Sequence, residues 1–306
     1  MRIGFFGSGA FGLPSLASLA GTHEIKFVVS QPDRPAGRKR QLRETPISAY
    51  AMEQGLSLLR PEVLDEAIIQ EIRGYPVDAW IVIAYGLKLP PQLLQGRFAC
   101  NLHGSLLPRW RGAAPIQRCL MAGDSMTGVS VITLASIMDA GEVLATSQTP
   151  VDAMETAGEL HDRLSELGPG ALQETLAAME SGNLEPRTQD SDQVTQAPKL
   201  SRADATVDFQ LPAPLVRGHI HGLTPWPGCD VKVGETSLRL RRVRDLPEPH
   251  QSPAGTLLDS GHVACGDDGS GTVEILEVQP AGGRPMSWTD WLRGHPVDTG
   301  TRFFST

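Results

Sequence analysis

The sequence predicts an α/β chain in three parts: a doubly wound, mostly parallel sheet of Rossmann-like type over residues 1–182, a linker over 183–205, and over 206–306 a small β-barrel or sandwich, of which an OB-like barrel is the reading adopted. Three observations carry this. The first half alternates short apolar runs with longer amphipathic ones, the rhythm of strands and crossover helices. From Gly182 to Ser201 the chain is polar and loses periodicity. Beyond about Thr206, short alternating runs separated by Gly, Pro and Asp replace it.

In order, the apolar run Ile3 to Phe6 reads as a strand, the stretch from about Leu13 as a helix, and Ile25 to Val29 as a second strand. A basic loop follows, then a helix near Ile47 to Gln54, a short strand at Leu56 to Leu59, a helix near Asp65 to Ile72 and a buried strand at Ala79 to Ala84. A further strand ends at Asn101-Leu-His103, and Pro115 suits the first turn of a helix. Strands at Gly128 to Leu134 and Glu142 to Val151 precede one long helix from about Thr156, which marks its start, to Ser181. In the last part Val231-Lys-Val, Ser237 to Val243, Gly255 to Leu258 and Thr272 to Val278 read as barrel strands.

Composition narrows the function classes. With 306 residues, 40% of them hydrophobic, the chain can bury a sizeable core. No run approaches the roughly 18 to 20 apolar residues of a membrane helix, and the N-terminus reads as a strand rather than an export signal. Cys100, Cys119, Cys229 and Cys265 are far apart and lack zinc spacing, so the reading expects no metal and a reducing, cytoplasmic setting. A formal charge of -8 argues against a surface that grips nucleic acid all over. Locally, Gln31 to Thr45 carries Arg34, Arg38, Lys39, Arg40 and Arg43 against Asp33 and Glu44, which reads equally as a solvated loop or as a phosphate-binding one.

The opening stretch Gly7-Ser-Gly-Ala-Phe-Gly12 matches the dinucleotide fingerprint G-x-G-x-x-G. That fingerprint needs an acidic residue at the end of the second strand to hold a ribose. Asp33 lies past that strand, inside Pro-Asp-Arg-Pro, so the glycines are assigned to the turn and to helix packing.

Chemistry concentrates at Asn101-Leu-His-Gly-Ser-Leu-Leu-Pro-Arg-Trp-Arg-Gly-Ala-Ala-Pro-Ile-Gln117. This run leaves a buried strand at the carboxyl edge of the sheet, where open α/β folds bind ligands. Asn101 and His103 are two apart and share one face, so an amide and an imidazole can address one oxygen while the imidazole exchanges a proton. Asp139, in Met-Asp-Ala-Gly, offers a carboxylate to orient the imidazole, or is an ordinary turn residue before Gly. Cys100 faces away from Asn101 and is assigned to the core; His219-Ile-His221 is assigned to a strand or helix surface pair.

The run Asn101-Leu-His-Gly-Ser-Leu-Leu-Pro108, taken with Asp-Ala-Gly at 139, resembles the folate-dependent formyltransferases. Further landmarks resemble the branch of that family that acts on methionyl-tRNA: Gln31 to Arg38, Ala84 to Leu87, Pro108 to Ile116, Lys199-Leu-Ser201, Pro225 to Gly228 and Met286 to Gly294. Two stretches depart from it, the first loop Gly7 to Phe11 and the uncharged Leu134 to Met138. The resemblance implies transfer of a formyl group from 10-formyltetrahydrofolate to the α-amine of methionine on initiator tRNA, for translation initiation. It implies a catalytic set of Asn101, His103 and Asp139. The folate would lie by Tyr85, Gly86, Leu87, Ser105, Leu106, Leu107 and Pro108, and the tRNA by Arg34, Arg38, Lys39, Arg40 and Arg43, helped by Arg239, Arg241 and Arg242. Residues 1–182 would be catalytic and the barrel tRNA-binding, in a monomer with no membrane association. The rival readings are a formyltransferase acting on an amino sugar nucleotide, a formyltetrahydrofolate hydrolase, an NAD-dependent oxidoreductase, and a non-catalytic RNA-binding protein.

Overall fold

A computed structural model describes residues 1–36 and 41–305. By contact the described residues form two compact units, one drawn from 1–36, 41–111, 128–148 and 161–195, the other from 112–127, 149–160 and 196–305.

The first unit is built on a sheet that, among the described residues, has seven strands. Strand β1 (Arg2–Gly7) runs into helix α1 (Leu13–Thr22), β2 (Glu24–Val29) follows, and β3 (Arg34–Ala36) and β4 (Gln41–Arg43) form a small separate hairpin. Helix α2 (Pro46–Glu53) has Pro at its first position and is capped by Thr45, whose hydroxyl accepts from Ser48 N at 3.0 Å. Next come β5 (Leu58–Leu59), the Asp65-capped α3 (Glu66–Gly74), β6 (Ala79–Ile83), α4 (Pro91–Leu94) and β7 (Ala99–His103). The short β8 (Arg111–Gly112) and α5 (Pro115–Met121), the helix belonging to the second unit, lead to β9 (Met126–Thr133) and β10 (Val143–Pro150). The strand order is β10-β9-β7-β6-β1-β2-β5. β1 pairs in parallel with β2 and β6, and β6 with β7, while β7 and β9 are antiparallel. From β1 the chain winds outward through β2 and β5, then returns to β6 on the other side. That reversal puts a crevice at the carboxyl ends of β1 and β6, with β7 beside it.

The single helix expected over 156–181 is two, α6 (Ala157–Ser165) and α7 (Gly168–Glu180). Pro169 explains the break: it has no N–H for the preceding turn and its ring clashes with it, so it starts a new helix instead. The glycine-rich opening is a packing device. A Cβ on Gly7 would lie 2.9 Å from Ile83 O and 2.6 Å from the Phe5 ring, and one on Gly12 3.3 Å from Phe5. Ser8 ties three strand ends together, since its hydroxyl accepts from Gln31 N at 3.0 Å and donates to Tyr85 O at 3.2 Å. Asp33 accepts from Arg60 at 2.9 Å, well beyond the end of β2.

In the second unit β11 (Gln196–Ala197) and α8 (Ala213–Gly222) precede β12 (Cys229–Val233), β13 (Thr236–Leu246), β14 (Val263–Cys265), β15 (Gly271–Pro280), β16 (Met286–Ser287), α9 (Trp288–Gly294) and β17 (Phe303–Ser305). The strands make a curled sheet ordered β14-β15-β13-β12-β17, with β16 on β15, around a core that includes Val231, Leu240, Val273, Trp288 and Phe303. Gly255 to Leu258, read as a strand, contributes only single bridges at Thr256 and Leu257. The pair His219 and His221 is on α8 and turned inward rather than on the surface: His221 is buried and its Nε2 accepts from Val243 N at 3.0 Å. No helix among the described residues is long and apolar enough to cross a membrane.

Candidate active site

β7 alternates as its sequence requires: Cys100 and Leu102 are buried on one face, and Asn101 and His103 take the other. Burial pushes the Cys100 thiol up to about 12, so it stays protonated and inert. The imidazole of His103, with 7% of its side chain exposed, has Nε2 2.8 Å from the carbonyl oxygen of Trp110. A carbonyl only accepts, so the proton is on Nε2 and that N–H donates. Nδ1 then faces Asp139, whose Oδ2 is 3.6 Å away. That gap exceeds a direct hydrogen bond, and with the proton on Nε2 both facing atoms are acceptors.

Both neighbours of the ring are held at unusual backbone angles. Trp110 has φ 65° and Asp139 φ 54°, left-handed conformations that cost an L-residue about 1–2 kcal/mol. The Asp139 turn has no room for alternatives, because a Cβ on Gly141 would lie 1.7 Å from Thr133 O. This is the physical content of Asp-Ala-Gly. The loop after His103 is pinned from within: Ser105 Oγ donates to Arg109 O at 2.6 Å, and Ser130, opposite His103 on β9, donates to Ser105 O at 2.8 Å and accepts from Leu107 N at 3.1 Å.

The crevice-side residues divide by where their side chains go. Tyr85 is buried, its ring edge-on to Phe6, and its carbonyl accepts from Ser8 Oγ and Gln31 Nε2. Ser105 is buried in the hydrogen bonds just described, and Leu107 packs with Ile132 and Val143. Gly86 and Leu87 are exposed, and Leu106 and Pro108 half-buried. Lys88 Nζ donates to Ser136 O at 2.8 Å, tying this turn to the segment before Asp139.

Residues 1–176 match the family described as formyl transferase, and residues 199–296 the formyl transferase C-terminal domain. The methionyl-tRNA formyltransferase of Sinorhizobium fredii (strain NBRC 101917 / NGR234) is 41% identical over 311 residues, covering 99% of both chains. That of Heliobacterium modesticaldum (strain ATCC 51547 / Ice1) is 38% identical over 315 residues, covering 99% of this chain and all of the relative. The chain belongs to the methionyl-tRNA formyltransferase family. The fold extends to distant structures. An N-formyltransferase from Helicobacter canadensis, solved with folinic acid and dTDP-3-aminofucose, has a TM-score of 0.70 at 10% identity, covering 90% of this chain and 98% of that one. HypX from Aquifex aeolicus, solved with tetrahydrofolic acid, has a TM-score of 0.63 at 17% identity, covering 97% of this chain and 48% of that one.

Of the basic residues expected at a tRNA in this family member, Arg38, Lys39 and Arg40 lie outside the described residues. Arg34 and Arg43 are exposed and directly paired across the β3–β4 hairpin. Like charges so placed repel, which an incoming anion relieves. Arg34 also donates to Glu62 at 2.9 Å. The three barrel arginines already have carboxylates: Arg239 binds Asp230 through two contacts at 2.8 and 2.9 Å, Arg241 binds Glu277, and Arg242 binds Glu159 at 2.6 Å. Among the described residues no group of three or more His, Cys, Asp or Glu is gathered to hold a metal ion. Sequence reasoning missed Trp110 as the partner of His103, and it missed Gln189 and Thr195, which reach the site from the stretch read as a linker.

Proposed function

We propose that this chain transfers the formyl group of 10-formyltetrahydrofolate to the α-amine of methionine esterified to initiator tRNA. The observation that carries this is the placement of His103, beside Asn101 at the carboxyl end of β7, between a backbone acceptor and the Asp139 carboxylate. The full-length relatives supply the substrate class.

In this reading the amine attacks the formyl carbon and the carbonyl oxygen takes up negative charge. Collapse returns an electron pair to the folate nitrogen, which leaves carrying the proton that the amine gives up. Asn101 donates an amide N–H to the developing oxyanion, and His103, whose Nε2–H is held by Trp110, offers the lone pair of Nδ1 to the proton of the attacking amine. Donors already aimed at that oxygen are usually the largest catalytic contribution. Asp139, 3.6 Å from Nδ1, stabilises the positive charge that this proton brings to the ring and helps pass it on through water.

Gly86 and Leu87, exposed, and Leu106 and Pro108, half-buried, offer a surface for the pterin, while Tyr85, Ser105 and Leu107 contribute backbone groups because their side chains are turned inward. The phosphates of the tRNA meet Arg34 and Arg43 together with Arg38, Lys39 and Arg40. In this reading the chain acts as a monomer in the cytoplasm, alongside the translation machinery that uses its product.

The decisive experiment mixes the purified chain with 10-formyltetrahydrofolate and Met-tRNA and looks for formyl-methionine. Product is the expected result. No product on tRNA, with formylation of an amino sugar nucleotide instead, would overturn the assignment.

A further inference from the structure

We propose that Gln189 and Thr195 are positioning residues for the His103–Asp139 pair, an inference that rests on the formyl-transfer reading above. Gln189 uses its whole carboxamide. Nε2 donates to Asp139 O at 2.8 Å and to Gly141 O at 2.6 Å, and Oε1 accepts from Arg111 Nε at 2.9 Å. Thr195 grips the other side: its hydroxyl accepts from Trp110 N at 2.8 Å and its carbonyl from Arg111 N at 2.9 Å. Trp110 in turn accepts the His103 Nε2–H, and His103 Nδ1 faces Asp139. The contacts close into a ring running His103, Trp110, Thr195, Arg111, Gln189, Asp139 and back to His103.

The ring has a mechanical reason to exist. Trp110 and Asp139, the residues on either side of the imidazole, both have left-handed backbone, and each relaxes toward an ordinary conformation unless something opposes it. Gln189 opposes it at Asp139 by holding two carbonyls two residues apart with one amino group, which fixes the direction in which the carboxylate leaves the turn. Thr195 opposes it at Trp110 by holding the N–H of the residue whose carbonyl orients the ring. Catalytic geometry tolerates displacements of about 0.5 Å, and a 1 Å error costs on the order of 10²-fold in rate.

The test uses the full chain carrying Gln189→Met, Gln189→Glu, Thr195→Val or Thr195→Ser, assayed with 10-formyltetrahydrofolate and Met-tRNA. Gln189→Met and Thr195→Val should lose about 10- to 100-fold in kcat while KM for both substrates stays within about threefold. Gln189→Glu, which sets an acceptor against two carbonyls, should fall at least as far. Thr195→Ser, which keeps the hydroxyl, should recover most of the activity. A second readout needs no turnover. In histidine-labelled protein the His103 Nε2–H resonance, assigned by its absence in His103→Ala, should vanish in Thr195→Val and return in Thr195→Ser. If Gln189→Met fails to fold, the Thr195 pair decides from the opposite side of the ring. Unchanged kcat in Gln189→Met and Thr195→Val, a loss that Thr195→Ser does not rescue, or a rise in KM in place of the fall in kcat overturns the proposal. A wild-type chain that makes no formyl-methionine overturns the activity reading instead, and the resonance then decides whether the ring holds His103.

Discussion

Acid should unfasten the second unit at His221. This side chain is buried on α8 with both nitrogens in use: Nε2 accepts from Val243 N at 3.0 Å, and the ring also bonds the Ala153 backbone. Only the neutral form can accept at Nε2. Burial, followed by the charges of Arg217 and Arg242, lowers the imidazole from its ordinary 6.5 to about 4. The unfolded chain therefore takes up a proton below its own pKa while the folded chain still refuses it, so stability is lost as pH falls from about 6.5 toward about 4. Each unit of displacement corresponds to about 1.36 kcal/mol, which gives roughly 2 kcal/mol lost between about pH 7 and about pH 5. Glu159 acts in a lower window. Burial opposes its ionisation, but hydrogen bonds from Arg242 and Thr156 outweigh burial and hold it at about 2, so its share is lost only as pH falls below its ordinary 4.5. Urea unfolding followed by the fluorescence of the five tryptophans, of which Trp226, Trp288 and Trp291 report on the second unit, measures the effect at the two pH values on wild type and on His221→Gln. The variant should start less stable and lose about 2 kcal/mol less on acidification. Parallel losses in the two proteins would refute the reasoning.

Three further outcomes follow. Asn101→Ala or His103→Ala should each lower kcat for formyl transfer about 10²- to 10³-fold with little change in thermal stability, since the first removes a donor aimed at the oxyanion and the second the imidazole that takes the amine proton. Removing the charges of Arg34 and Arg43 should raise KM for tRNA and reduce the log–log salt slope of binding by about 0.7–0.9 for each phosphate no longer neutralised; an unchanged slope would exclude them from the interface. Gly141→Ala must displace the turn, because its Cβ would sit 1.7 Å from Thr133 O. It should abolish activity and lower the melting temperature, and a crystal structure with Asp139 undisturbed would count against this account.

The sequence carried the sheet well because β1, β6 and β7 are apolar runs bounded by turn residues, and period two placed Asn101 and His103 on one face without any coordinates. Elements were lost where a residue's local preference and its packed role diverge. Gly218 and Gly222 argue against a helix locally, yet α8 needs them, since Cβ atoms there would lie 2.3 Å from Leu120 O and 2.9 Å from Gln117 O on α5. Pro169 divides a helix whose apolar periodicity runs on across the break. The fingerprint at Gly7 to Gly12 was legible as a turn, and its glycines answer to Phe5 and Ile83. Gln189 was beyond reach for another reason: its contacts lie 48 to 78 residues away in the chain, and one polar side chain in a polar stretch leaves no periodic trace.

The ring through Gln189 and Thr195 also decides where this protein can be cut. A fragment ending at 182 would retain every strand of the first sheet and all three of Asn101, His103 and Asp139, so it would pass any inventory of motifs. It would leave behind the two side chains that brace Trp110 and Asp139. For chimeras that exchange the segment after the first sheet between relatives, the junction belongs after 195, and the short polar stretch before it should travel with His103 and Asp139 as part of their inheritance.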